Sequence, residues 1–179
     1  GSTMYQIFPD RFAKGEILQE NVPTDRVLRE DWGGCPEWRP DENGVVRNND
    51  FFGGNLKGIQ EKLPYFKRLG VTCLYLNPIF EAHSNHRYNT ADYSKIDPLL
   101  GDENDFKDLC KEAEKYGIKV IVDVVANHLA GDHSNIDGEL KGSQFWHWYG
   151  DSINYSDRYS ITHGNFGMQD LNSEHSTVQ

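Results

Sequence analysis

The sequence predicts an α/β fold built from parallel strand–helix–strand units, and three observations predict it. Two nearly continuous apolar runs, Val71 to Asn77 and Lys119 to Ala126, read as strands covered on both faces. Each follows a stretch of helical period, Leu56 to Leu69 and Phe106 to Tyr116. A single glycine, Gly70 or Gly117, closes each helix just ahead of its strand, the short connection that parallel βαβ units use.

Taken in order, Met4-Tyr5-Gln6-Ile7-Phe8 is an aromatic-rich apolar run ended by Pro9, and it reads as the first strand. From Arg11 to Asp50 no period persists, and a loop that long in a compact domain is functional or disordered. Leu56, Ile59, Leu63, Phe66 and Leu69 then recur at helical spacing. Pro64 falls inside that pattern and predicts a break, with the proline opening the second piece. Asp105 is the expected N-cap of the next helix, which carries Phe106, Leu109, Cys110, Ala113 and Tyr116 on one side. Leu129 to Gln179 is polar and irregular, and reads as a long excursion or small subdomain.

Composition excludes several classes of partner. The 179 residues carry 28 acidic and 18 basic side chains, a formal charge of −10, so nucleic acid is not an expected partner. No apolar run approaches the roughly 18–20 residues that span a bilayer, so no membrane segment is expected. The opening Gly1-Ser2-Thr3-Met4-Tyr5 has no basic region followed by an apolar one, so no secretory signal is expected. Cys35, Cys73 and Cys110 are odd in number and lack a CxxC pair, which excludes a disulfide framework or a zinc site. Cys73 and Cys110 are expected to act as small buried hydrophobes.

In parallel α/β folds, ligands bind at the carboxyl ends of the strands. Pro9, Asp10 and Arg11 follow the first strand; Asn77 to Glu81 and Ser84 to Asn89 follow the second; Asn127 and His128 end the third. Three strands are thus expected to deliver polar groups to one rim. Asp123 is a carboxylate inside an otherwise apolar strand, costly to bury ionised unless paired. An ion pair with an arginine on a neighbouring strand and a role in positioning site groups are compatible readings of it. His128 beside Asn127 at a strand end is expected to face ligand. Tyr88, flanked by His86, Arg87 and Asn89, suits a stacking platform for a sugar face. Trp32, Trp38, Trp146 and Trp148 fit a loop staple as well as a substrate contact, and His83, His133, His147, His163 and His175 show no metal spacing.

These residues match a family pattern. Phe51-Phe52-Gly53-Gly54-Asn55-Leu56-Lys57-Gly58-Ile59 resembles the FFGGDLxGI segment of the α-amylase superfamily of glycoside hydrolases, and Asp123-Val124-Val125-Ala126-Asn127-His128 resembles its DxxxNH motif. Tyr5 to Phe12 is similar to the first-strand segment. Asn77 to Phe80, Ser84 to Tyr93 and Ile96-Asp97-Pro98 resemble neopullulanase- and cyclomaltodextrinase-like members, and Met168 to Asn172 the short motif ending the subdomain after strand three. The resemblance implies an incomplete (β/α)8, or TIM, barrel, since a whole one needs about 250 residues. Residues 1–128 would supply barrel strands one to three, and residues 129–179 an inserted subdomain leading to a fourth strand that is absent.

The same resemblance implies a retaining hydrolase of α-1,4-linked glucans such as starch, maltooligosaccharides, pullulan or cyclodextrins. His86, Tyr88 and His128 would line the subsite of cleavage, and Asp123 would hold an arginine of the fourth strand. The nucleophile and the acid/base, placed by the family on later strands, would lie outside this chain, leaving it inactive alone. Calcium is the possible cofactor: Asn127 matches a ligand position of many members. Other relatives bind it in the loops around the first strand, with Asn and Asp where this chain has Lys14 and Glu16, and Asp where it has Asn55. A non-catalytic carbohydrate-binding or interaction protein on a degenerate barrel is the alternative. Three parallel strands also leave an open edge, so the chain is expected either to self-associate or to be marginally stable.

Overall fold

The computed structural model describes residues 1–17, 26–42, 44, 46 and 48–125, and the backbone of strand residues 128–129, 146–147 and 169–171. Strands β1 (Met4–Ile7), β4 (Cys73–Leu76) and β7 (Lys119–Val122) form a parallel sheet in the order β1-β4-β7. Helices α2 (Leu56–Glu61), α3 (Leu63–Arg68) and α4 (Glu103–Lys115) fall between them in the chain. Between β1 and α2 lie the short helix α1 (Pro9–Phe12) and the strands β2 (Val27–Leu28) and β3 (Asp50–Phe51). Val27 pairs with Asp50 and Leu28 with Phe51 in parallel, so the segment with no sequence period is anchored by a two-residue ladder.

Register fixes which side chains share a face. Ile7 aligns with Leu76 and Leu76 with Val122; Tyr5 aligns with Leu74 and Leu74 with Val120. That face meets the core, where Ile7, Leu74 and Leu76 join Leu56, Ile59, Leu63, Phe66, Leu109 and Ala113, all at most 1% exposed. The opposite row runs Gln6, Tyr75, Ile121. Ile121 is 42% exposed and Met4, one step back, 57%. The apolar runs implied two covered faces, but helices cover only one among the described residues. The other face carries the polar tips Gln6 and Tyr75.

The expected break is present: Leu56 to Leu69 breaks at Lys62, and Pro64 sits in the first turn of α3, where its missing N–H costs nothing. Three other expectations are corrected. Leu69, expected in the apolar stripe, is the C-cap of α3 and is exposed. The N-cap of α4 is Asp102, not Asp105. Asp102 Oδ1 accepts from the N–H groups of Asn104 (2.7 Å) and Asp105 (2.9 Å), and Asp105 Oδ2 accepts from Asp102 N–H at 2.9 Å. A carboxylate three residues into the helix reaches back to the cap, so Asp105 closes a capping box that starts earlier. Cys73 is buried, whereas Cys110 is only half-buried on the flank of α4.

Two smaller sheets complete the described architecture. Strands β5 (Phe80–Ala82) and β6 (Thr90–Ile96) pair antiparallel beyond the end of β4 and hold residues 83–89 between them. Strand β8 (His128–Leu129) pairs with β10 (Gln169–Leu171), which also pairs with β9 (Trp146–His147). The stretch that reads as irregular therefore contains an antiparallel sheet.

Candidate functional site

The candidate site is built on the loop between β5 and β6, which is fastened from beneath by a buried charge cluster. Arg87 is fully buried, and its Nη2 donates to Asp97 Oδ1 at 3.2 Å. Arg26 Nη1 donates to the other carboxylate oxygen at 2.7 Å. Both guanidinium groups lie over the Phe51 ring, at 5.3 and 5.4 Å from its centroid. Arg87 Nη1 also holds the Asn85 carbonyl, and Asn85 Nδ2 donates to Asp50 Oδ1 at 3.0 Å. Arg87 takes φ = 61°, a left-handed conformation that disfavours any residue with a Cβ. The reversal sets His86 and Tyr88 on either side of it with ring centroids 5.9 Å apart.

The hydrogen bonds of His86 fix its proton. Nδ1 accepts the Tyr88 backbone N–H at 3.1 Å, and a main-chain amide can only donate. Ser84 Oγ, also 3.1 Å from Nδ1, gives its one hydrogen to Asn89 Oδ1. Nδ1 is therefore unprotonated, and the neutral ring carries its hydrogen on Nε2. Burial, then the charge of Arg87, pushes the His86 pKa down. His86 is thus a neutral Nε2–H donor.

Tyr88 and Asp123 meet. The Tyr88 hydroxyl donates to Asp123 Oδ2 at 2.8 Å. The hydroxyl of Tyr75, on β4, lies beside the same carboxylate. Burial, then the bond to Asp123, pushes the Tyr88 phenol up to about 12. Tyr75 is raised by its interaction with Asp123 and then by burial. Asp123 lies one residue beyond β7 rather than within it, although its N–H still bonds the Leu76 carbonyl at 2.8 Å. Among the described residues the Tyr88 hydroxyl bonds it and the Tyr75 hydroxyl lies beside it, and no arginine pairs with it. A neutral donor satisfies this half-buried carboxylate without a second charge.

Tyr75 escaped the sequence reading because it sits inside an apolar run. The available signal was its parity: it shares the face of Gln6 and Ile121, and of Asp123 two residues on.

The first strand does not supply the rim as expected. Asp10 is fully buried; its carboxylate accepts the N–H groups of Phe52 (3.0 Å) and Gly53 (3.2 Å) and contacts the Arg11 guanidinium. Burial raises its pKa, opposed by those bonds and by Arg87 and Arg11. Arg11 holds the Asp50 carbonyl and lies over the Phe52 ring at 4.4 Å. Asp10 therefore bolts the Phe52–Gly53 segment to the end of β1, because a carboxylate with no water must consume backbone donors.

Asn77 is buried and accepts from Gln6 Nε2 at 2.9 Å. Trp32 and Trp38 are both exposed, and Trp32 lines a 350 Å³ cleft with Arg11, Gly33, Gly34, Pro36 and Phe52. That cleft shares no lining residue with the Tyr88–Asp123 pair.

His86, Tyr88 and Asp123 are thus brought together. The fourth expected site residue, His128, has its backbone paired with Asp170, and its side chain lies outside the described residues. Asn127, the expected calcium ligand, lies outside them too. Among the described residues no group of three or more His, Cys, Asp or Glu could hold a metal ion, and no helix is long and apolar enough to cross a membrane.

Comparison with known proteins decides the family. Residues 6–175 match the family model for the α-amylase catalytic domain. The chain belongs to the α-amylase family. An amylopullulanase of Thermoanaerobacter thermohydrosulfuricus is 43% identical over 182 residues, covering 90% of this chain and 12% of that protein. Neopullulanase 2 of Thermoactinomyces vulgaris is 46% identical over 131 residues, covering 73% of this chain and 20% of its own length. The chain therefore spans about an eighth to a fifth of these two relatives. Among solved structures, the cyclic α-maltosyl-(1→6)-maltose hydrolase of Arthrobacter globiformis superposes with a TM-score of 0.73 at 30% identity, covering 99% of this chain and 39% of that one. An α-amylase of Geobacillus thermoleovorans, solved with acarbose, gives 0.73 at 29% identity, covering 99% and 34%. These family neighbours are TIM barrels, so the parallel β1-β4-β7 sheet belongs to that architecture.

Proposed function

We propose that this chain supplies the first three strand–helix units and part of one glucose subsite of a retaining hydrolase acting on α-1,4-linked glucans. Residues 1–128 would be the barrel portion and residues 129–179 the subdomain inserted after its third strand. The observation that carries the reading is the Tyr88–Asp123 bond of 2.8 Å, which ties the loop beyond β4 to the end of β7. A half-exposed tyrosine ring held upright by a carboxylate is a stacking platform, and the neighbouring His86 is a hydroxyl-directed donor. His128 would add a second donor to the same sugar.

The bond-breaking carboxylates belong to polypeptide beyond these residues. Retaining cleavage needs two carboxyl groups about 5–5.5 Å apart, one protonated and one free to attack. The candidates in the described motifs have other work. Asp10 holds backbone amides, Asp97 two arginines, Asp123 the Tyr88 hydroxyl, and Asp92 is drawn down to about 2 by Ser94 and Lys95.

The test is to incubate the purified chain with maltooligosaccharides while titrating maltotriose by calorimetry. No release of reducing sugar is expected, with weak maltotriose binding that Tyr88→Ala abolishes. Turnover that survives repurification would overturn the placement of the carboxylates. Binding that Tyr88→Ala leaves intact would overturn the subsite.

A further inference from the structure

Calcium in the loops around the first strand is what the family resemblance implies, and the residues there do not fit it. Asn55 is fully buried, and its carboxamide bonds on both sides. Oδ1 accepts the N–H of Gly58 at 2.8 Å, capping α2, and the N–H of Gly15 at 3.0 Å. Nδ2 donates to the Gly15 carbonyl at 2.7 Å and to the Gly53 carbonyl at 3.4 Å. One amide thus ties the segment after α1 to the segment entering α2.

A divalent cation here would need those oxygens for itself, at about 2.3–2.6 Å. The carbonyls of Gly15 and Gly53 instead face N–H donors. An aspartate in place of Asn55 would turn an anionic oxygen toward two carbonyl oxygens, a repulsion that only a cation relieves. Lys14 adds a second obstacle. Its Nζ lies 3.7 Å from where a Cβ on Gly53 would stand, so an ammonium already occupies the neighbourhood. We infer that this chain has replaced a loop-bridging cation with its own Asn55 amide and Lys14 ammonium, and that the junction closes without divalent metal.

Amide hydrogen exchange at Gly15 and Gly58, the two N–H groups that Asn55 accepts, reads the junction directly and involves no sugar. Its failure is therefore separable from failure of the proposed activity. In the wild-type chain, protection at both amides is expected to be the same with excess EGTA and with millimolar calcium. In Asn55→Asp with Lys14→Asn, protection is expected to fall in EGTA and to recover about tenfold on adding calcium. Calcium-dependent protection of these amides in the wild type would overturn the inference, and that measurement decides even if the variant does not fold. A folded double variant indifferent to calcium would overturn it as well.

Discussion

The Tyr88 hydroxyl donates to Asp123 Oδ2 at 2.8 Å across 35 residues of sequence, and Tyr75 on β4 lies beside the same carboxylate. A single carboxylate thereby sets the pose of an aromatic ring on a loop that has no regular structure of its own. Hydrogen bonds to a charged acceptor are worth about 1.5–3 kcal/mol, enough to hold one rotamer against solvent.

Removing that hydroxyl separates orientation from stacking. Tyr88→Phe keeps the ring but leaves Asp123 one donor short, so a loss of about 1–3 kcal/mol in stability is expected. Tyr75 remains beside the carboxylate in that variant, and the double change Tyr75→Phe with Tyr88→Phe should cost more than the sum of the singles. Chemical denaturation of the three variants checks it, and strict additivity would contradict a shared acceptor.

His86 makes the loop sensitive to acid. Its folded pKa is depressed below 6.5, so above that pH the ring is neutral in folded and unfolded states alike. As pH falls below 6.5 the unfolded chain takes up the proton first, and stability declines until folded His86 titrates too. Protonation at Nδ1 would set two N–H groups against each other and break the hydrogen bond that the Tyr88 backbone N–H donates. Denaturation midpoints measured between neutral and mildly acid pH should show a loss that His86→Gln reduces.

The cluster beneath the loop is less forgiving. Asp97 lies between Arg26 and Arg87, all three buried. Asp97→Ala leaves two guanidinium groups without their shared counter-charge, and breaking a buried pair costs about 3–5 kcal/mol. Thermal melting should show this as a large drop or as failure to fold. A change within experimental error would mean that other groups neutralise the arginines.

Gly54 tests the junction between β1 and α2. A Cβ there would stand 2.2 Å from the Pro9 carbonyl oxygen and 2.7 Å from Asp10 backbone atoms. Main chain cannot swing aside as a flexible side chain does, so Gly54→Ala should destabilise by about 1–3 kcal/mol or more. Loss of the Asp10 bonds to Phe52 and Gly53 should accompany it, read as faster exchange of those two amides.

The uncovered sheet face should govern solution behaviour. Met4 and Ile121 are exposed on it, and β1 and β7 are both edge strands of the three-stranded sheet. The isolated chain is expected to self-associate, and Ile121→Lys should shift light scattering toward the monomer. A wild-type monomer at high concentration would count against this.

Much of the strand layer was legible because burial writes itself into apolar runs. Val71 to Asn77 and Lys119 to Ala126 each contain a strand of the sheet, and the break near Pro64 follows from proline's missing donor. Boundaries were harder: the sequence put the cap at Asp105, and only the path of the backbone makes Asp102 the cap and Asp105 the carboxylate that reaches back. Pattern likewise put Asp10 on the rim, since a carboxylate after a strand looks alike whether it meets ligand or its own chain's amides.

By itself the sequence determined the parallel α/β core, the family motifs and three residues that come together, His86, Tyr88 and Asp123. Tertiary structure alone decided what each of them bonds. It set the Tyr88 hydroxyl on Asp123, backbone amides on Asp10, and four backbone partners on Asn55. Apolar burial depends on composition along a segment and so leaves a periodic trace. Hydrogen bonding depends on atoms meeting within about 3 Å across long stretches of chain, and no local pattern records that.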